Sequence, residues 1–580
     1  MRKRNLLLAI ASGALLAISM PKPGWWLTAW FGLAPLLIAL RGARAREAAV
    51  YGLVTGLAYY GVILFWLTLF GYLPWSLVAL KETFWLVLFA VAASRLLPER
   101  TGWFGYLAVP AAWTVSQWAR VLGPLGFTWG SLAHTQATNL PVIQMASVTG
   151  PWGIDFIVCL ANLALADLTP TLPSTVLRTG SYEERGHVDT PPPLRRGLGG
   201  GRRVATIALI VSLTPVAAGW HYLSYEAPRY RPKTRVCIVQ ASLPHKINPE
   251  PGYVPMAYEV YDKMSRRTAH RKWDFVIWPE TTIVDDITDT RWGPQIAQLA
   301  RDTHANYIIG GYDPSGDPEG RSYNSAHFYD RTGRKIGVYH KVHLVPYGEY
   351  VPLRKQMPWL KRYGIRDVDV LPGRSHNLTD TEIGRVGVSI CFESLFPAVS
   401  AQETRNGARA LVIITNDAWF GRTQAARHHA MMAYLRAVEN RRYVVRAAAT
   451  GISAIIDPSG RVLSELPIYN RGILTGSIAP LSNLTPYARF GDWFVFGCMA
   501  LLVLRMTSVS RFVADTDNYD MHRSAFSRAS SSLPSRRSSS IPQSSSLPNA
   551  ASRSSCVRYA ALTRSRISPR SSTNAAYSGP

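Results

Sequence analysis

Residues 384–397 read GRVGVSICFESLFP, and the position of Cys391 within them decides how the chain is read. The run RVGVSI reads as a buried strand, and Cys391 falls where that strand ends, followed at once by Phe392 and Glu393. A free cysteine at such a point is by itself an ordinary buried thiol. Its surroundings must supply any chemistry.

Those surroundings repeat the pattern. From Thr234 onward short apolar runs alternate with polar connections: RVCIVQ, DFVIWPE, NYIIGGY, NSAHFYD, ALVIITND and YVVRAAATGISAIIDPSG read as strands. VPMAYEVYDKMSRRTAH, GPQIAQLARDTH and HHAMMAYLRAVENRR read as helices between them, and DRTG and DPSG as turns. Strand and helix in alternation imply a layered α/β domain. Polar groups gather at the strand ends: Glu280 closes DFVIWPE, and Asn416 with Asp417 closes ALVIITND. The carboxyl ends of strands are where layered α/β folds bind ligands.

The rest of the chain is of another kind. The protein has 580 residues, 47% of them hydrophobic, with 18 Trp. Apolar stretches at 6–20, 25–40, 49–69, 75–97, 103–122, 141–168, 204–223 and 493–506 are read as eight membrane spans. MRKRN, RGARARE, SRLLPER and the long basic segment before the seventh span occupy the N-terminus and every second loop, whereas GYLP and GPLGFTWGSLAHTQATN carry no Lys or Arg. By the positive-inside rule both termini are cytoplasmic and the segment 228–485 is extracytoplasmic. The expected division is a seven-span bundle over 1–227, a catalytic domain over 228–485, an eighth span within 486–510 and a disordered Ser/Arg-rich cytoplasmic tail over 511–580. The opening lacks a clear signal-cleavage site and is read as a retained helix.

Much of the net charge of +26 is thereby topological, and no nucleic-acid partner is expected. Five cysteines are scattered without a disulfide frame or a zinc pattern. Cys237 reads as core. His428 and His429 are adjacent on a helix and point apart, so no metal and no cofactor are expected. Lys81 and Glu82 sit inside the fourth apolar stretch and are read as a pair that snorkels or neutralises itself.

For Cys391 to act as a nucleophile it needs a base, because an ordinary thiol is only a few per cent ionised at neutral pH. Glu280 is the candidate, since a carboxylate desolvated in a cleft can take the proton and return it. Lys341, in YHKVHLVPYGEYVP, can stabilise an oxyanion and favour the thiolate.

The order WPE, then HKVHLVPYGEYVP, then CFES resembles the nitrilase superfamily, and more closely its bacterial membrane-embedded branch, the apolipoprotein N-acyltransferases. Residues 126–166, GFTWGSLAHTQATNLPVIQMASVTGPWGIDFIVCLANLALA, are similar to that family's membrane part. The resemblance covers most of residues 5–506. It implies a helical bundle of about eight spans carrying an outward nitrilase-like αββα sandwich, with Glu280 as general base, Lys341 as oxyanion stabiliser and Cys391 as nucleophile. Glu349 and Glu393 fall on further acidic positions of the family. Phe392 stands where the family commonly has Tyr, and Ile247 where it commonly has Trp.

The implied reaction is ping-pong acyl transfer in the bacterial inner membrane, from a phospholipid donor through a Cys391 thioester to the N-terminal amine of a diacylated apolipoprotein, by a monomer. Asn324 is a candidate partner of the site. Trp419 and Phe420 are candidates for an exposed aromatic arm over an acyl channel, with a loop tucked into the core as the alternative. Two other readings stay open at this stage: an amidase or lipid hydrolase in which water resolves the thioester, and a receptor that binds lipid or lipoprotein without catalysis.

Overall fold

The structure is a computed structural model that describes residues 3–97, 103–169, 198–226, 230–244, 252–314, 316–318, 320–352, 369–505 and 507. The tail expected over 511–580, the long basic loop before the seventh span and Ile247 lie outside the described residues.

The second half of the chain forms β1 (Thr234–Gln240), β2 (Phe275–Ile277), β3 (Ile283–Asp286), β4 (Asn306–Pro314), β5 (Ser322–Tyr329), β6 (Lys335–His340), β7 (Thr379–Thr381), β8 (Gly384–Ile390), β9 (Ala410–Thr415), β10 (Val444–Ala448), β11 (Ser453–Ile456), β12 (Val462–Leu466) and β13 (Gly472–Ile478). Among the described residues they make two sheets, one ordered β13-β1-β2-β4-β5-β6 with β3 on β4, the other β12-β11-β10-β9-β8-β7. The central strands β1, β2 and β4 run parallel, as do β8, β9 and β10.

Alternation along each strand divides its side chains between two layers. Val236 and Ile238 of β1 face Val388, Ile390, Val412 and Ile414 between the sheets. Cys237 and Val239 point the other way, onto Tyr261, Ile296 and Leu299 of the helices Tyr253–Thr268 and Trp292–Thr303. Leu411 and Ile413 of β9 likewise meet Met431, Tyr434 and Ala437 of the helix Gln424–Asn440. The result is a layered α/β domain, as the pattern implies, in the αββα form that the resemblance implies, with Cys237 in its outer layer.

In the first half, three helices among the described residues are long and apolar enough to cross a membrane: Tyr72–Leu96, Pro151–Leu168 and Arg202–Tyr225. Trp26–Leu40, Leu140–Thr149 and Trp493–Arg505 are apolar but shorter. The stretch read as one span over 141–168 is not one helix. It breaks at Gly150, whose φ of +66° suits glycine, and Pro151 opens the next helix. A Cβ at 150 would lie 2.4 Å from the Tyr487 ring, so the break is also packed shut.

Glu82 and Arg120 are both fully buried, 2.9 Å apart, with Lys81 also on Glu82 at 2.6 Å. The expected self-neutralising Lys81–Glu82 pair is therefore part of a larger cluster. Arg120 donates onward to the carbonyls of Phe127, Thr128 and Trp129, fixing the loop that presents Trp129. Phe392, Leu395, Phe396, Phe420 and Leu435 of the sandwich share one apolar core with Tyr59, Trp66, Trp129 and Leu132 of the helical half.

Candidate active site

Three strand ends meet at one carboxylate. Glu280 lies just beyond β2, 5% exposed, and its Oε1 accepts Asn324 Nδ2 at 2.8 Å and Lys341 Nζ at 3.4 Å. Its Oε2 accepts the backbone N–H of Asn416, beyond β9, at 2.8 Å. The main chain at Glu280 needs Gly310 on β4: a Cβ there would stand 2.3 Å from Pro279 O and 2.6 Å from Glu280 Cα.

Lys341 follows β6 and is 1% exposed. Besides Glu280 its ammonium meets Glu349 at 2.9 Å, and Asn324 Nδ2 donates to the same Glu349 at 2.9 Å. Burial opposes the charge on Lys341, yet Glu349 and Glu280 outweigh it and hold its pKa above the ordinary lysine value. Glu349 in turn accepts the N–H of Val345 at 2.8 Å, which ties the PYGEYVP turn to the cluster.

Cys391 begins the short turn Cys391–Leu395 that follows β8, with a φ of +55° that is uncommon for any residue but glycine. Register pairs Ile390 with Ile414, so Cys391 stands beside Thr415 and Asn416. Burial pushes the thiol well above its ordinary pKa, Glu280 pushes it further, and Lys341 pulls it back. Burial and Glu280 thus favour the neutral thiol, and Lys341 acts in the opposite sense.

Glu393 is fully buried and accepts four donors: Ile390 N at 2.8 Å on Oε2, and Val342 N at 2.7 Å, His343 N at 3.0 Å and Tyr339 Oη at 2.8 Å on Oε1. Burial pushes its pKa up to about 7 despite these bonds. Phe392 is buried against Phe396, ring centroids 5.1 Å apart.

The aromatic pair expected on an exposed arm is split. Trp419 is half-buried against Phe70. Phe420 is buried, 5.0 Å from Trp66 and 5.6 Å from His429, so it is a wedge in the core and not an exposed anchor.

A second polar cluster lies behind the turn, and sequence reasoning missed its assembly. Asp417 Oδ2 accepts Arg446 Nη2 at 2.9 Å and Oδ1 pairs with His429 Nδ1 at 2.9 Å, all three buried. Burial works to raise the Asp417 carboxyl, but Arg446 and His429 overrule it and hold it well below the usual range. The available signal was Arg446 itself, a charge in the middle of an apolar strand.

Comparison with known proteins places both halves. Residues 12–164 match the family model described as "Apolipoprotein N-acyltransferase N-terminal domain", and residues 240–487 match "Carbon-nitrogen hydrolase". The chain is 34% identical to the apolipoprotein N-acyltransferase of Geobacter metallireducens, over 86% of this chain and 94% of that protein. To the apolipoprotein N-acyltransferase of Methylococcus capsulatus it is 30% identical, over 86% of this chain and 95% of that one. Among solved structures it is similar to Saccharomyces cerevisiae Nit3 of the nitrilase superfamily, at 21% identity, 43% of this chain, 91% of that chain and a TM-score of 0.35. With relatives this similar along nearly their whole length, the chain belongs to the apolipoprotein N-acyltransferase family.

Proposed function

We propose that this bacterial membrane enzyme, an N-acyltransferase of lipoproteins, carries its acyl chain on Cys391, with Glu280 as base and Lys341 as oxyanion partner. The observation that supports these roles is the convergence of Glu280, Lys341, Asn324 and Glu349 in one buried hydrogen-bonded set whose charges act on the Cys391 thiol.

The donor is a phospholipid ester. Cys391 Sγ attacks its carbonyl carbon while the thiol proton passes to Glu280, and the carbonyl electron pair moves to oxygen beside the Lys341 ammonium. Collapse expels the lysophospholipid alkoxide, which takes the proton from Glu280 and leaves the acyl thioester. The N-terminal amine of a diacylated apolipoprotein then attacks that thioester, its proton passes to Glu280 and on to the departing sulfur, and the amide is released.

Eight spans with both termini cytoplasmic, a monomer, and the division at residues 227, 485 and 510 complete the proposal, supported by the Lys/Arg asymmetry of the loops. A site above the outer leaflet suits two lipid-anchored substrates, which meet it at high effective concentration.

The test is intact-mass measurement of the full chain in phospholipid vesicles, with and without a diacylated lipopeptide. The wild type gains one acyl mass that moves to the peptide, and Cys391→Ser gains none. Release of free fatty acid with no triacylated peptide rejects the transferase; lipopeptide binding with no acyl mass on the wild type rejects catalysis through Cys391.

A further inference from the structure

The geometry points to His429 as the positioning residue of the nucleophile: its imidazole, fixed from behind by Asp417, holds the backbone oxygen of Cys391 and so keeps the turn that presents the sulfur. The inference rests on Cys391 being the nucleophile.

Where Sγ points follows from the backbone at 391, which is in the left-handed region. Such a conformation persists only where its neighbours impose it. The neighbours are on the page. Cys391 O accepts Ser394 Oγ at 2.7 Å, within the turn. From outside the turn, His429 Nε2 lies 3.3 Å from the same oxygen and 3.1 Å from Ser394 Oγ. His429 thus ties the Cys391 end of the turn to the helix Gln424–Asn440, while Arg436 of the same helix holds its far end through Leu395 O at 2.9 Å.

The ring has little freedom of its own. The ring holds both partners with an N–H on each nitrogen, Nδ1–H donating to Asp417 Oδ1 at 2.9 Å and Nε2–H to Cys391 O at 3.3 Å. Asp417 is itself fixed by Arg446 at 2.9 Å and by Thr415 Oγ1 at 2.9 Å, and a Cβ on residue 451 would lie 2.0 Å from its Oδ2, so glycine is required there. Phe420 and Trp129 pack on the imidazole, with centroids 5.6 and 6.2 Å away. At 1% exposure no bulk water can take over the bond.

Two amides separate positioning from packing. Glutamine at 429 carries its amide near the place of Nε2 and can still reach Cys391 O; asparagine carries its amide near Nδ1 and can only reach Asp417. The full chain in phospholipid vesicles is compared as wild type, His429→Gln and His429→Asn by single-turnover acylation of Cys391, by alkylation of Cys391 with iodoacetamide, and by thermal melting.

A misplacement of about 1 Å costs about 100-fold in rate, so His429→Asn slows acylation by about that factor with the lipid concentration for half-saturation unchanged. His429→Gln keeps most of the rate, and alkylation follows the same order. Equal rates in all three proteins overturn the inference. Equal loss in both variants in proportion to their melting also overturns it, since the ring is then only packing. If the wild type takes no acyl mass, the nucleophile assignment fails, and the order of alkylation rates still decides whether His429 sets the thiol.

Discussion

Glu393 Oε1 accepts the backbone N–H of Val342 at 2.7 Å, so the residue two places after Cys391 holds the residue next to Lys341. The Cys391 turn and the Lys341 segment are thereby fixed to one another through a single buried carboxyl. Glutamine at 393 keeps the three donors on Oε1 but turns its amide toward Ile390 N–H, and one mismatched buried donor costs about 1–3 kcal/mol. Because burial raises the folded pKa from 4.5 to about 7, the contribution of Glu393 to stability is full below 4.5 and is lost as pH rises through about 7. Melting of the wild type therefore falls over that window more steeply than melting of Glu393→Gln.

Lys341 neutralises the buried carboxylate of Glu280 and the half-buried one of Glu349. Lys341→Met leaves both unpaired and is expected to cost about 3–5 kcal/mol, and loss of an oxyanion partner lowers the acylation rate about 100- to 1,000-fold. Adding Glu349→Gln to that variant restores part of the stability and none of the rate. Recovery of acylation in the double variant sinks the role given to Lys341.

The ion pair between Arg120 and Glu82 is predicted to matter beyond its own charges. Arg120→Met abandons Glu82 and three backbone carbonyls and costs about 3–5 kcal/mol, more than Glu82→Gln. Trp129 then loses its seat under His429, and acylation slows as well. Thermal melts paired with single-turnover rates check both effects; a silent Arg120→Met contradicts them.

Phe420→Ala removes a buried ring packed on Trp66 and is expected to cost about 3–5 kcal/mol. Trp419→Ala is expected to melt near the wild type and to slow acylation from membrane-borne donor. The reverse order places the substrate contact on the wrong ring.

The layered α/β domain was legible because strand and helix patterns alternate, its αββα form came with the family resemblance, and the meeting of strand ends was legible because polar residues close otherwise apolar runs at Glu280, Cys391 and Asn416. What escaped was pairing across distance. Asp417, His429 and Arg446 lie on three elements separated by turns, and no local pattern encodes their meeting. Phe420 escaped for another reason: composition does not tell a ring that faces lipid from one wedged into the core beside His429. The break at Gly150 was written in TGPWG, but continuous hydropathy masked it.

The apolar surface shared by Phe392, Phe396 and Phe420 with Trp66 and Trp129 has a practical consequence. Cut free of its helices, the sandwich would carry a greasy underside directly beneath the Cys391 turn, and that turn would lose its foundation. Inhibitor screens and domain swaps must keep the two halves together, because the rings beneath the Cys391 turn include Trp66 and Trp129 of the helical half.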